Sequence, residues 1–198
     1  MVTTAVPAAA PAALATTTLC QAFQVTAAER PDQIALRTPG DGMAITYRDY
    51  AERVRGIAGG LASLGVGRGD TVALMLVNRP EFNLVDTAAL HLGAVPFSIY
   101  NTSAPEQIHY LFSNAGARVV VTERAFLPQL RAAIRRGGVA IERIVLVDGA
   151  EEETTPLAEL EQRTPAGFDF EAAWRAVEPE DLLTLIYTSL FVGSVRCV

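Results

Sequence analysis

The chain has 198 residues, half of them hydrophobic, with a mean hydropathy of +0.25, which is material for one well-buried domain. A formal net charge of −6 and an isoelectric point near 5.0 exclude a general nucleic-acid binder. The two cysteines, Cys20 and Cys197, have no metal-ligand spacing, which suits a reduced compartment and a cytoplasmic location.

The first stretch, Met1 to Leu19, is rich in Ala, Thr and Pro, and the first charged side chain is Glu29. It lacks the basic residues and the continuous apolar run of a secretory signal, and is too polar and proline-broken to span a membrane. A disordered tail over residues 1–17 is expected, followed by one domain over 18–198.

Thr18 can cap a helix running to Arg30, with Pro31 ending it. Ile34–Arg37 and Met43–Ile45 read as short strands joined through Gly40-Asp41-Gly42, a hairpin signal. Thr46 with Asp49 forms a capping box. The helix after it places Tyr50, Val54, Ile57, Leu61 and Leu64 at helical spacing, and Gly65 ends it. Gly59 and Gly60 weaken that helix and imply close packing.

From Asp70 the pattern becomes regular. Thr71–Val77 is an apolar strand; Asn78 and Pro80 open a helix to Leu92, closed by Gly93. Val95–Ile99 is a strand, and Ser103, Pro105 and Glu106 start a helix to Ala115, with Gly116 past its end. Arg118–Thr122 is a strand, Phe126–Arg136 a helix and Ile141–Val147 a strand. Asp148–Glu153 reads as an acidic surface loop, and Pro156–Val177 as two weak helices around Pro165. Strand–helix alternation with near-continuous apolar strands indicates an α/β fold, a mostly parallel sheet flanked by helices.

Several constellations invite chemistry and do not sustain it. Gly65, Gly67 and Gly69 imitate a dinucleotide fingerprint, but they close a helix and precede a strand, the reverse of the required order. His91 and His109 have no Cys or acidic pair at ligand spacing, so structural or surface roles are expected and no metal site. Ser63, Ser98 and Ser103 lack a nucleophile elbow. Arg131, Arg135 and Arg136 complement a helix C-terminus on a solvated face. No catalytic residue is assigned.

The last stretch, Asp181 to Val198, carries the strongest signal. Leu182–Ile186 is a buried-strand pattern that runs into Tyr187-Thr188-Ser189. Such a strand end presents hydroxyls and amides to a phosphate, and should continue with glycine, hydroxyls and a lysine. Leu185–Ser189 resembles the opening of the phosphate loop of the adenylate-forming (AMP-binding) enzymes, Y-T-S-G-T-T-G-x-P-K-G. Tyr187, Thr188, Ser189 and Gly193 match; Leu190, Phe191 and Val192 stand where Gly-Thr-Thr belongs, Arg196 for the lysine and Cys197 for the last glycine. The departure begins within a single turn, as a changed reading frame would produce.

Upstream segments extend the likeness. Leu64–Ala73 is similar to the family's L-G-V-x-x-G-D-x-V-A, and Gly93–Thr102 resembles the G-A-V-x-x-P-x-Y-x-T segment of long-chain fatty-acid–CoA ligases. The likeness covers roughly Phe23 to Ser189. It implies an incomplete N-terminal part of an acyl-CoA-synthetase-like domain, truncated at a degenerate phosphate loop, with the strand before that loop as its last element. The complete family enzyme joins a fatty acid to CoA through an acyl-adenylate and uses ATP, Mg²⁺ and CoA, none of which is expected to bind this chain well. Thr188, Ser189 and Gly193 are its remnant nucleotide contacts. Three readings follow: a ligase piece inactive alone, a subunit that works with a separately made C-terminal chain, or a non-enzymatic binding domain.

Overall fold

A computed structural model describes residues 10–187 and the backbone of residues 192–196. The stretch expected to form a disordered tail includes a 3-10 turn at Ala12–Ala15, none of it buried. Helix α1, Leu19–Glu29, starts where Thr18 accepts the Gln21 N–H, and its last turn closes through Arg30. Strands β1 (Ile34–Arg37) and β2 (Ala44–Thr46) pair antiparallel as a separate small sheet. Their connection is a 3-10 turn at Pro39–Asp41 with Gly40 at φ 73°, a backbone region that glycine enters without strain.

Helix α2, Tyr47–Ser63, opens as its capping residues dictate. Thr46 Oγ1 accepts the Asp49 N–H at 3.1 Å and donates to the Asp49 carboxylate at 2.7 Å. It ends in a Schellman turn, with Val66 N–H donating to Leu61 O and Gly65, at φ 81°, donating to Ala62 O.

The main sheet follows: β3 (Thr71–Met75), β4 (Val95–Ser98), β5 (Val119–Thr122), β6 (Arg143–Leu146), β7 (Thr154–Pro156), β8 (Leu182–Tyr187) and β9 (Val192–Arg196). The strand order is β7-β6-β5-β3-β4-β8-β9, parallel except for the antiparallel β8–β9 pair. Helices α3 (Pro80–His91), α4 (Pro105–Ala115), α5 (Leu127–Ile134), α6 (Leu157–Leu160) and α7 (Phe170–Arg175) complete the described elements.

Both faces of the sheet are covered over β3, β5 and β6, which is why these strands read as continuous apolar runs. Val72 and Leu74 enter one core, together with α2, α3, α6 and α7; Ala73 and Met75 enter the other, beneath α4 and α5. Val119 and Val121 divide from Val120 in the same way. Fully buried side chains such as Leu84, Ile57, Phe112 and Leu130 each contribute roughly 1.5–3 kcal/mol of burial.

The structure departs from the sequence reading in three places. No strand was expected between the acidic loop over Asp148–Glu153 and the helical stretch from Pro156, where β7 lies. Its three residues are half-buried, and it runs level with Ile144–Leu146 after the turn over 147–153, too short a stretch to carry a period-2 pattern. The helix expected over Phe126–Arg136 is a 3-10 turn at Arg124–Phe126 followed by the shorter α5, with Pro128 in its first turn. β8 is not the last element, because Val192–Arg196, with β-branched residues at 192 and 195, adds a further strand beside it.

Candidate functional site

In an open α/β sheet ligands gather beyond the strand C-termini, near the point where the strand order reverses. Here that point is β3, with β4 and β8 on one side and β5, β6 and β7 on the other. Its C-terminal edge is filled by the protein's own charges. Glu123, after β5, is 8% exposed and accepts the Val77 N–H at 2.7 Å and an Arg79 N–H at 3.2 Å. Arg79, the N-cap residue of α3, also donates to Glu81 at 2.8 Å. Burial pushes the Glu81 carboxyl upward more than any other single cause, but the hydrogen bond from Arg79, its charge and a backbone hydrogen bond together outweigh it and the net shift is downward. The same Arg79–Glu81 bond raises Arg79. The cation is thus held between two carboxylates. The sequence reading did not single out these residues; the available signal was a charged side chain placed directly after a wholly buried strand.

The neighbouring edge is that of β4 and β8. Tyr187, at the end of β8, is 9% exposed, and its hydroxyl donates to Asn114 Oδ1 at 2.8 Å. Its ring meets Phe97 edge-on at 5.6 Å, and burial raises its hydroxyl above its ordinary pKa. β8 therefore ends in a tyrosine anchored through both its ring and its hydroxyl. Thr188 and Ser189 lie outside the described residues. Gly193 stands in β9, level with Ile186, so the backbone brings it beside β8 instead of beyond its end.

The remaining candidates have structural settings. Gly65–Asp70 is a helix end and a turn, in which the Asp70 carboxylate accepts the Gly67 N–H at 2.8 Å. His91 is 1% exposed; its Nδ1 is 2.7 Å from Thr87 O and its Nε2 3.0 Å from the Gln24 amide. Burial pushes it down to about 4, so Nδ1–H donates to the carbonyl and Nε2 accepts from Gln24. The ring stacks on Phe170 at 5.5 Å. His109 Nδ1 reaches Ala133 O at 3.2 Å and ties α4 to α5. Arg136 pairs with Glu106 at 2.8 Å, and Arg131 reaches the Glu152 carbonyl, so this basic cluster braces the loop after β6 and the start of α4. Ser63 donates to Gly60 O within its own helix. Among the described residues no group of three or more His, Cys, Asp or Glu is placed to hold a metal ion, and no helix is long and apolar enough to cross a membrane.

A groove of about 360 Å³ lies between α1 and α2, floored by Ala27, Ala28, Ala51 and Phe170. Both arginines of its rim are already paired: Arg48 with Asp32 at 2.9 Å and Arg55 with Glu171 at 2.6 Å.

Comparison with known proteins places this architecture. The uncharacterized protein Rv1549 of Mycobacterium tuberculosis (strain ATCC 25618 / H37Rv) is 54% identical over 134 residues, 68% of this chain and 74% of that protein. The long-chain-fatty-acid–CoA ligase FadD15 of Mycobacterium bovis is 30% identical over 82% of this chain, and 4-coumarate–CoA ligase 3 of Oryza sativa 32% identical over 77%. The chain spans only about a quarter of the length of these ligases, 28% and 26%. The crystal structure of a long-chain-fatty-acid–CoA ligase (FadD1) from Archaeoglobus fulgidus superposes with a TM-score of 0.77 over 90% of this chain and 36% of its own, at 17% identity, which shows the shared fold. The family model described as AMP-binding enzyme matches residues 23–189, the span of the resemblance and the whole of the main sheet up to the end of β8. This chain belongs to the AMP-binding enzyme family.

Proposed function

We propose that this chain is the N-terminal portion of a fatty-acid–CoA ligase, a protein that activates a fatty acid with ATP and passes the acyl group to CoA, and that it does not catalyse this reaction alone. The observation that carries the reading is the placement of Tyr187 at the C-terminal edge of the parallel sheet, leading into Thr188 and Ser189 in the family's own order. Fatty acids are favoured as substrates by the identity to FadD15 and by the Gly93–Thr102 segment. ATP, Mg²⁺ and CoA would serve the complete enzyme.

The residues of this chain do not fit those groups well. Leu190, Phe191 and Val192 supply no hydroxyl and no glycine flexibility where a phosphate needs close amide donors. Each lost charge-assisted bond weakens binding by about 1.5–3 kcal/mol. Arg196 keeps a positive charge but not the compact ammonium of lysine.

A second reading has the chain working with a separately made C-terminal ligase chain. It is favoured by Leu182 and Ile186, 41% and 47% exposed on one face of β8, an apolar strip next to the proposed loop. The deciding experiment is fatty-acid-dependent exchange of labelled pyrophosphate into ATP. It is run on the chain alone and mixed with a separately expressed C-terminal portion of such a ligase. No exchange alone is expected. Exchange by the lone chain refutes the proposal, exchange only on mixing selects the two-chain enzyme, and none in either case leaves a piece without activity or a non-enzymatic binding domain.

A further inference from the structure

Strand β4 lies inside the sheet, between β3 and β8, yet carries a proline at its second position. Proline removes a ladder donor and is normally confined to edges. Alternation along the strand shows which neighbour loses that donor. Val95 N–H donates to Asp70 O and Ile99 N–H to Leu74 O, both at 2.8 Å and both towards β3. Pro96 and Ser98, one residue out of phase, therefore face β8.

The β4–β8 ladder is correspondingly thin. β3 runs level with β4 from Thr71–Val95 to Leu74–Ser98 and with β5 from Val72–Val119 to Met75–Thr122, whereas β4 and β8 share one level pair, Phe97 with Leu185. Side chains supply much of the remaining attachment. The Thr184 hydroxyl donates to the Pro96 carbonyl at 2.7 Å. Arg68 donates twice to Asp181 Oδ1, at 2.8 and 3.2 Å, just before β8, and Tyr187 bonds Asn114 at its far end.

We propose that β8 is a separately opening element. Three side-chain latches hold it in place, Thr184–Pro96 to β4, Arg68–Asp181 to the turn before β3 and Tyr187–Asn114 to α4, and it leaves and rejoins β4 without unfolding the rest of the sheet. The opening does not depend on the phosphate-loop reading, and its test involves no ligand.

The test is native-state amide exchange on the full chain, comparing neighbours in one strand. The Ser98 amide, facing β8, should exchange on the order of a hundredfold faster than the Ile99 amide, which faces β3, because only the former is freed by a local opening. Pro96→Ala restores a donor towards β8 and should slow Ser98 about tenfold, the worth of one hydrogen bond. Thr184→Val and Asn114→Ala should each speed Ser98 several-fold and leave Val72 and Val120 unchanged. Equal rates at Ser98 and Ile99 in the unaltered chain overturn the proposal, and so does acceleration of all strands alike in the latch variants.

Discussion

Gly60 in α2 lies directly against the carbonyl oxygen of Leu160 at the end of α6, so close that a β-carbon at 60 would overlap it. One turn earlier a β-carbon at Gly56 would stand 2.8 Å from Glu161 O, and one at Gly59 would stand 2.7 Å from Thr164 Oγ1. The glycines are a groove into which the chain after β7 is pressed. Gly60→Ala and Gly56→Ala should each cost about 1–3 kcal/mol from overpacking against backbone, despite roughly 1 kcal/mol of better helix propensity. Gly59→Ala should cost less, since a threonine side chain can turn away. Urea unfolding of the three variants checks the order; a stabilised Gly60→Ala would refute the contact.

The buried His91 and the half-buried Asp86 titrate in opposition. His91 is held near 4 against an ordinary 6.5, so the unfolded chain takes up its proton first and stability falls as pH drops from about 6.5 to 4. Burial pushes the Asp86 carboxyl up to about 6 from 3.8, so the folded chain takes up that proton first and stability rises over nearly the same window. The two contributions nearly cancel. Asp86→Asn should raise stability at pH 7 by about 2–3 kcal/mol and uncover a loss of about 3 kcal/mol between pH 6.5 and 4. Urea unfolding at both pH values reads this directly, and an unchanged pH slope in the variant would sink the account.

Glu123 satisfies a backbone donor as well as a charge. Glu123→Ala leaves the Val77 N–H without its carboxylate partner and should cost about 1–3 kcal/mol, while Arg79 keeps Glu81. In a double-mutant cycle, Arg79→Ala with Glu123→Ala should be less damaging than the sum of the single changes, because an unpaired carboxylate is removed along with the cation. Strict additivity would show that the pair is not coupled.

Leu182 and Ile186 should make the chain bind apolar dyes. Replacing both with threonine, which keeps strand propensity, should remove most of the dye signal and change stability by no more than about 0.5–1 kcal/mol. Persistent dye binding would place the exposed apolar surface elsewhere.

Much of the local structure was legible in the sequence because it is decided locally. Thr18 and Thr46 cap helices through hydroxyls three residues from their partners, and Pro80 and Pro105 open α3 and α4. Gly116, at φ 66°, closes α4 in the left-handed region. The apolar strands announced a sheet covered on both faces, and the phosphate-loop likeness was readable as far as Ser189. What sequence could not supply was the partner of each strand. The main sheet takes up the three-residue β7 and the added β9 because neighbouring strands offer unpaired backbone groups, a demand invisible in their own residues.

The sequence by itself determined the capped helix starts, the α/β class and the family, since capping, periodicity and motif order are properties of near neighbours. Only the tertiary structure decided that Arg79 meets Glu123, that Gly60 meets Leu160, and that Pro96 turns its missing donor towards β8. These relationships join residues far apart along the chain. Strand order and the direction in which each backbone group points bring them together, and both are set by how the sheet assembles as a whole.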